Sequence, residues 1–190
     1  MSRRNRPLTP KAIAKRIADG FGQGRGGAYK PWHIVQRTAS RGVSYRLPGW
    51  TDERVAHTLS ALEKRYFLIL DWSTRVTEVR EQYALPLEET LAIAAELGID
   101  HARERRTPEK TPVPLSTDFL LTVQTLSGPV LVARTVKYAA DLSDGRIIEQ
   151  FEIERVYWER KGVRWGIVTE RDFPSRSGPR LMTVALPQSR

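Results

Sequence analysis

Residues 116–142 read STDFLLTVQTLSGPVLVARTVKYAADL. Two apolar runs, 118–125 and 130–137, are separated by Leu-Ser-Gly-Pro, which has the composition of a hairpin turn, so the pattern predicts two consecutive strands. Each run carries a charge that a buried strand does not need. Asp118 opens the first, and Lys137 closes the second among small and apolar neighbours. Antiparallel pairing makes those two ends neighbours across the hairpin.

Upstream of the hairpin, residues 51–72, TDERVAHTLSALEKRYFLILDW, predict one long helix capped by Thr51, with Val55, Leu59, Leu62, Tyr66 and Leu70 as its buried stripe. RVTEVREQYAL, 75–85, alternates like a strand, and LEETLAIAAELG, 87–98, is helical with Gly98 as its stop. RERRTPEKTPVP, 103–114, is a charged loop containing prolines. After the two strands, residues 144–162 form an amphipathic helix ending at Gly162, and VRWGIVTE, 163–170, a last strand. This order of helices and strands predicts an α/β or α+β fold with a mixed central sheet flanked by helices.

The first quarter of the chain differs in charge. Residues 1–50 hold 11 Lys and Arg against a single acid, Asp19, whereas the remainder holds 20 basic and 21 acidic residues. The net charge of +9 therefore lies entirely in the N-terminal segment. A concentrated basic segment is the electrostatic footprint of a nucleic-acid binder, and equally of a solvated tail or a patch for an acidic partner. Its candidate DNA contacts are Arg3, Arg4, Arg6, Lys11, Lys15, Arg16, Arg25, Lys30, Arg37, Arg41 and Arg46. The segment contains a short helix after Thr9-Pro10 and a glycine-rich stretch, GFGQGRGG at 20–27, that reads as a linker. Extended pieces at 29–36 and 43–50 carry aromatics that either face DNA or tuck onto the domain.

The chain has no cysteine, which excludes disulfides, iron–sulfur clusters and thiolate zinc sites. His33, His57 and His101 lack metal-ligand spacing, His101 reading as a loop residue, so a metal here is a hard cation held by oxygen. No stretch of about 18 apolar residues and no signal core is present, and a cytoplasmic protein with no membrane partner is expected.

A carboxylate beside a lysine at a strand end is either an ordinary ion pair, worth little, or part of a metal-dependent nuclease. Nuclease sites of the restriction type usually place a second acid two residues before the lysine; here that position is Thr135. The surrounding segments SALEKRYFLILDWSTRVTEVREQY, STDFLL, ARTVKYAADL and IEQFEIERVYWERKGVRWGIVTE, together with YKPWHIV and SRGVSYRLPGW, resemble the TnsA family. These are the endonuclease subunits of heteromeric cut-and-paste transposases. The likeness runs from about Gly20 to Phe173 and implies a restriction-endonuclease-like fold.

The resemblance places the family's helix glutamate on Glu63, its metal aspartate on Asp118 and its strand lysine on Lys137. The position of Thr135 need not be acidic in this family, so Glu63 completes a Mg²⁺ site, with Mn²⁺ as a substitute and the Val136 carbonyl as a further ligand. Thr135 supports a ligand or water, or simply favours a strand, the latter ranking higher. Glu149, Glu152 and Glu154 are candidates to approach the site from the long helix, against the ranking alternative of a solvated face. Gln82 is a further candidate to contact the site or DNA. The implied partners are double-stranded DNA at the transposon ends, a DDE-type transposase and an AAA+ ATPase regulator. Longer family members engage that regulator through an additional helical domain, for which the residues after Phe173 leave no room; the apolar patch LMTVAL is one replacement. The expected organisation is a basic arm over 1–50, a catalytic domain over 51–173 and a tail over 174–190.

Overall fold

The computed structural model describes residues 7–35 and 43–173. Arg3, Arg4, Arg6, Arg37, Arg41 and the LMTVAL patch lie outside them. The centre of the molecule is a sheet of four strands in the order of the chain: β3 (Val76–Ala84), β4 (Ser116–Thr125), β5 (Gly128–Val136) and β6 (Arg164–Val168). The first three are antiparallel, and β6 runs parallel to β5, as a strand returning through a helical crossover must. That crossover is α4 (Gly145–Arg160). The expected mixed α/β sheet flanked by helices is thus observed.

Two cores sandwich the sheet. On one face Phe119, Leu121, Val132 and Val136 pack with Leu62, Tyr66, Phe67 and Leu70 of α2 (Ala61–Asp71). On the other, Leu120 and Ala133 pack with Ile93 and Ala94 of α3 (Leu87–Leu97) and with Ile153, Tyr157 and Trp158 of α4. Strand neighbours thereby alternate between cores, as the pleat requires.

The long helix expected over 51–72 is corrected. Val55–Thr58 is a strand, β2, paired antiparallel with β1 (Tyr45–Pro48), and the helix starts only at Ala61. Its N-cap is Ser60, whose Oγ accepts the Glu63 N–H at 3.1 Å. Glu63 accepts in return the Leu59 N–H at 2.9 Å, the reciprocal logic of a capping box. Val55 and Leu59 had matched the helical stripe by spacing alone; backbone pairing to a strand ten residues earlier outweighs it.

The N-terminal segment is built into the domain. After α1 (Pro10–Ala18), the 20–27 stretch packs on β3 rather than acting as a linker. Gly22 lies at φ 75°, where a Cβ would come within 2.5 Å of Ala84 Cβ. The Gly26 N–H donates to Glu78 at 2.8 Å. Tyr29 and Trp32 are buried, so these aromatics tuck onto the domain. Arg16, expected at DNA, instead donates to the Trp32 carbonyl and lies over the Phe21 and Trp32 rings, with Cζ 5.1 and 4.8 Å from their centroids. Lys11, Lys15, Arg25, Lys30 and Arg46 are exposed.

Candidate active site

The pairing of β3 with β4 is irregular at two places, a register shift between Val76 and Glu78 and a missing ladder pair at Gln82. Along β3 and β4 the register joins Glu81 to Phe119 and Tyr83 to Thr117, which sets Gln82 opposite Asp118 without a ladder pair between them. Gln82 has φ 50°, a left-handed conformation costly for a residue with a side chain. The consequence is visible in the contacts. Val79 packs on the α2 side, Arg80 leans on Tyr83, and Glu81 pairs with Arg54 of the β1–β2 turn. Gln82 then also reaches α2, and Tyr83 returns to Trp158 on the α4 side. Two successive side chains thus project to one face. Across the ladder Asp118 reaches the same site as Gln82, while the Thr117 hydroxyl turns to Glu154 of α4.

This break in the alternation of side chains assembles the site. Gln82 Nε2 donates to Glu63 Oε2 at 3.2 Å and to Asp118 Oδ1 at 3.1 Å, so one amide bridges two carboxylates from different elements. Asp118 Oδ2 accepts the Val136 N–H at 2.8 Å, just beyond the last ladder pair of β4 and β5. Glu63, Asp118, Thr135, Val136, Lys137, Gln150 and Glu154 border one open pocket of about 180 Å³. Lys137 is held by its backbone, whose N–H donates to the Val168 carbonyl at 2.9 Å. The ion pair expected between Lys137 and Asp118 is replaced: Lys137 Nζ lies 3.9 Å from Asp141 Oδ2. Lys137 therefore shares the pocket with Asp118 without being neutralised by it.

Burial pushes the Glu63 carboxyl up, and the Asp118 charge pushes it further; the Leu59 N–H, Ser60 and Gln82 act against this. Asp118 is also raised by loss of solvent, opposed by the Val136 N–H, by Gln82 and by the Lys137 charge. Two converging, mutually repelling carboxylates are what a cation relieves. Mg²⁺ takes oxygen ligands, commonly one or two carboxylates with waters, so these donors fit it. Among the described residues no three His, Cys, Asp or Glu side chains converge as a metal-binding group.

Thr135 is more than a strand former. It is buried, and its hydroxyl donates to Glu154 Oε1 at 2.5 Å. The same oxygen accepts from Thr117 Oγ1 at 2.6 Å and Trp165 Nε1 at 2.9 Å. Burial raises the Glu154 carboxyl to about 7 despite these three donors. The solvated-face expectation is thus overturned for Glu154 and met by Glu152, which pairs with Arg155 at 2.7 Å. Glu149 is a correction too: it is exposed and pairs with Arg146 at 2.9 Å. Five residues from Glu154 is about 140° around a helix, which turns Glu149 away from the sheet. The signal for Glu154 was in the sequence, since Phe151, Glu154 and Trp158 share an apolar stripe at spacings of three and four. His101 is buried, its ring bonded to Thr90 Oγ1 at 3.0 Å and the Ala102 carbonyl at 3.1 Å, with no metal role in that geometry.

The raised Glu154 predicts a pH effect. A folded carboxyl at about 7 keeps a proton that the unfolded chain releases near 4.5. Its stabilisation is complete below the unfolded value and is lost as pH rises through the folded one, at no more than about 1.4 kcal/mol per pH unit. Thermal melts in EDTA from pH 5 to pH 8 are expected to fall for the wild type and to fall less for Glu154→Gln. Parallel curves would remove Glu154 as a titrating group.

A mixed sheet flanked by helices, with Glu63, Asp118 and Lys137 brought to one pocket, is consistent with a nuclease-type α/β domain. Residues 73–170 match the family model of the TnsA-like endonuclease N-terminal domain. The chain is 40% identical over 174 residues to the transposon Tn7 transposition protein TnsA of Escherichia coli, a match covering 91% of this chain and 62% of that protein's length. The chain belongs to the TnsA-like endonuclease family. Among the described residues no helix is long and apolar enough to cross a membrane.

Proposed function

We propose that this chain is the Mg²⁺-dependent DNA endonuclease subunit of a cut-and-paste transposase. It cleaves the 5′ ends of a mobile element, the strands not transferred, while a DDE-type partner cuts the 3′ ends. The observation that carries this reading is the Gln82-bridged pair of Glu63 and Asp118, facing Lys137 across one pocket in a chain of this family. The Tn7 relative is by name a transposition protein, which extends the reading from cutting to transposition.

Glu63 and Asp118 hold the ion, with the Val136 carbonyl as a further oxygen. A bound Mg²⁺ supplies positive charge at the phosphate and acidifies a water, and Mn²⁺ does the same. Lys137 donates from Nζ to the phosphate or to the attacking water, and its charge favours the anionic species that develops there. The products carry 3′-OH and 5′-phosphate. Lys11, Lys15, Arg25, Lys30 and Arg46 offer charge to the duplex backbone, which positions DNA without specifying sequence. End recognition then falls to the partner, and an AAA+ ATPase regulator belongs to the same assembly. The protein acts in the cytoplasm.

A second reading, a DNA-binding assembly subunit that keeps the fold without cutting, is favoured by Thr135 and by the lack, among the described residues, of a third converging acid. The discriminating assay is nicking of DNA carrying the element's ends, in Mg²⁺, with the partner transposase present. Cleavage by the wild type and its loss in Asp118→Ala and in Glu63→Ala are expected. Binding without cleavage points to the assembly role, and vigorous cutting without the partner to a stand-alone repair or restriction nuclease of the same fold.

A further inference from the structure

Gln82 occupies the centre of the carboxylate pair, and nothing in the mechanism above uses it. Its placement is built, at a cost. A residue with a side chain sits at φ 50° two residues before the end of β3, where glycine would be free of strain. The backbone is clamped on both sides from the N-terminal segment. The Trp32 N–H donates to the Gln82 carbonyl at 2.9 Å, and Tyr29 Oη donates to the Glu81 carbonyl at 2.9 Å. Gln82 itself is 2% exposed. Strain held in place by its surroundings at a polar cluster points to a function for the residue there.

We propose that Gln82 is a ligand of the divalent cation, its side-chain amide exchanging donor for acceptor when the ion enters. This rests on the reading of Glu63 and Asp118 as the ion's carboxylates. Without the ion, Nε2 links Glu63 and Asp118 and moderates their repulsion. A primary amide presents two donors on one side and an acceptor on the other, in nearly the same shape. A half-turn about the Cγ–Cδ bond therefore brings Oε1 to the point that Nε2 occupies, between the two carboxylates.

The far side of the amide accommodates that turn. Ser116 Oγ lies 3.5 Å from Gln82 Oε1. A hydroxyl both donates and accepts, so Ser116 donates to Oε1 in the ion-free arrangement and accepts from Nε2 in the turned one. No buried polar atom is abandoned in either arrangement. The chemistry also suits the pair. An amide carbonyl adds a hard oxygen without a third negative charge beside two carboxylates that already repel. It answers the shortage left by Thr135, whose hydroxyl is engaged with Glu154.

The test is Mn²⁺ binding to the full chain without DNA, followed by water-proton relaxation, with circular-dichroism melts in EDTA alongside. Gln82→Ala is expected to weaken Mn²⁺ binding about tenfold or more, the range by which supporting ligand interactions act. Its melting temperature should stay within a few degrees of the wild type. Gln82→Glu, which keeps the size and supplies an oxygen in either orientation, is expected to bind at least as tightly as the wild type, with a steeper dependence on pH. Folded Gln82→Ala with unchanged or tighter Mn²⁺ binding overturns the proposal, since the amide is then only a tether. If Gln82→Ala fails to fold, weaker binding by Gln82→Glu than by the wild type overturns it. Asp118→Ala separates the two levels: equal binding by Asp118→Ala and wild type refutes the carboxylate site itself.

Discussion

Alanine at Lys137 is expected to slow DNA strand cleavage by about 10²–10³-fold, the usual effect of removing one positioned donor to a developing charge. Folding stability and Mn²⁺ binding should remain close to wild type. The two expectations separate because of how Lys137 is held. Its backbone N–H is fixed to Val168, which an alanine preserves. Its side chain is 35% exposed, and its ion pair with Asp141 spans 3.9 Å at the surface, an interaction of little worth. The substitution therefore removes a charge from the pocket and little else. Lys137→Arg should recover part of the rate, since charge is kept while its position changes. Cleavage kinetics with the partner transposase present, paired with a melt of each variant, provide the check. An unchanged rate would restrict Lys137 to a surface role.

The second large effect lies behind the site. Arg54→Ala is expected to destabilise the fold by about 3–5 kcal/mol, the cost of stranding a buried charge. Arg54 Nη1 donates to Glu81 Oε1 at 2.7 Å, Nη2 meets Oε2, and the Glu81 side chain is 0% exposed. Glu81 also accepts the His57 N–H at 3.0 Å, and Arg54 Cζ lies 5.1 Å from the Tyr29 ring centroid. The pair thus joins the β1–β2 hairpin, the N-terminal segment and the strand residue next to Gln82. Replacing Arg54 and Glu81 together by Met and Leu should recover most of the loss, because no charge is then buried alone. Urea unfolding of the three proteins measures this. A loss below about 1 kcal/mol in Arg54→Ala would show that water reaches Glu81.

Much of the sheet was legible because its elements carry strong local patterns. The strands at 75–85, 118–125 and 130–137 and the helices at 87–98 and 144–162 follow their apolar periods and their stops, such as Gly98 at φ 66°. The segment 51–60 was misread because Val55 and Leu59 satisfy a helical stripe as well as a strand. Only Tyr45–Pro48, as a pairing partner, decides between them. Ser60-Ala-Leu-Glu63 is a capping signature that marked the true helix start.

The candidate site was legible in parts and for different reasons. Asp118 and Lys137 stood out as charges at strand ends. Glu63 became a candidate through the family resemblance, not through its position on the stripe. Gln82 could not be ranked, because its role depends on facing Asp118 across the ladder and on a left-handed backbone. Neither register nor φ is written in REQY. The engagement of Thr135 with Glu154 joins a strand to a helix 19 residues later, a contact that only the packing of α4 on the sheet creates.

We propose that Glu63 and Asp118 jointly hold one divalent cation. Crystals of the chain soaked in Mn²⁺ test it most directly, through the anomalous signal of the metal. A single strong peak touching both carboxylates is predicted, and it should vanish in crystals of Asp118→Ala. A wild-type map with no peak there, or with Mn²⁺ only at exposed acids such as Asp141 and Glu149, would show that Glu63 and Asp118 do not share an ion.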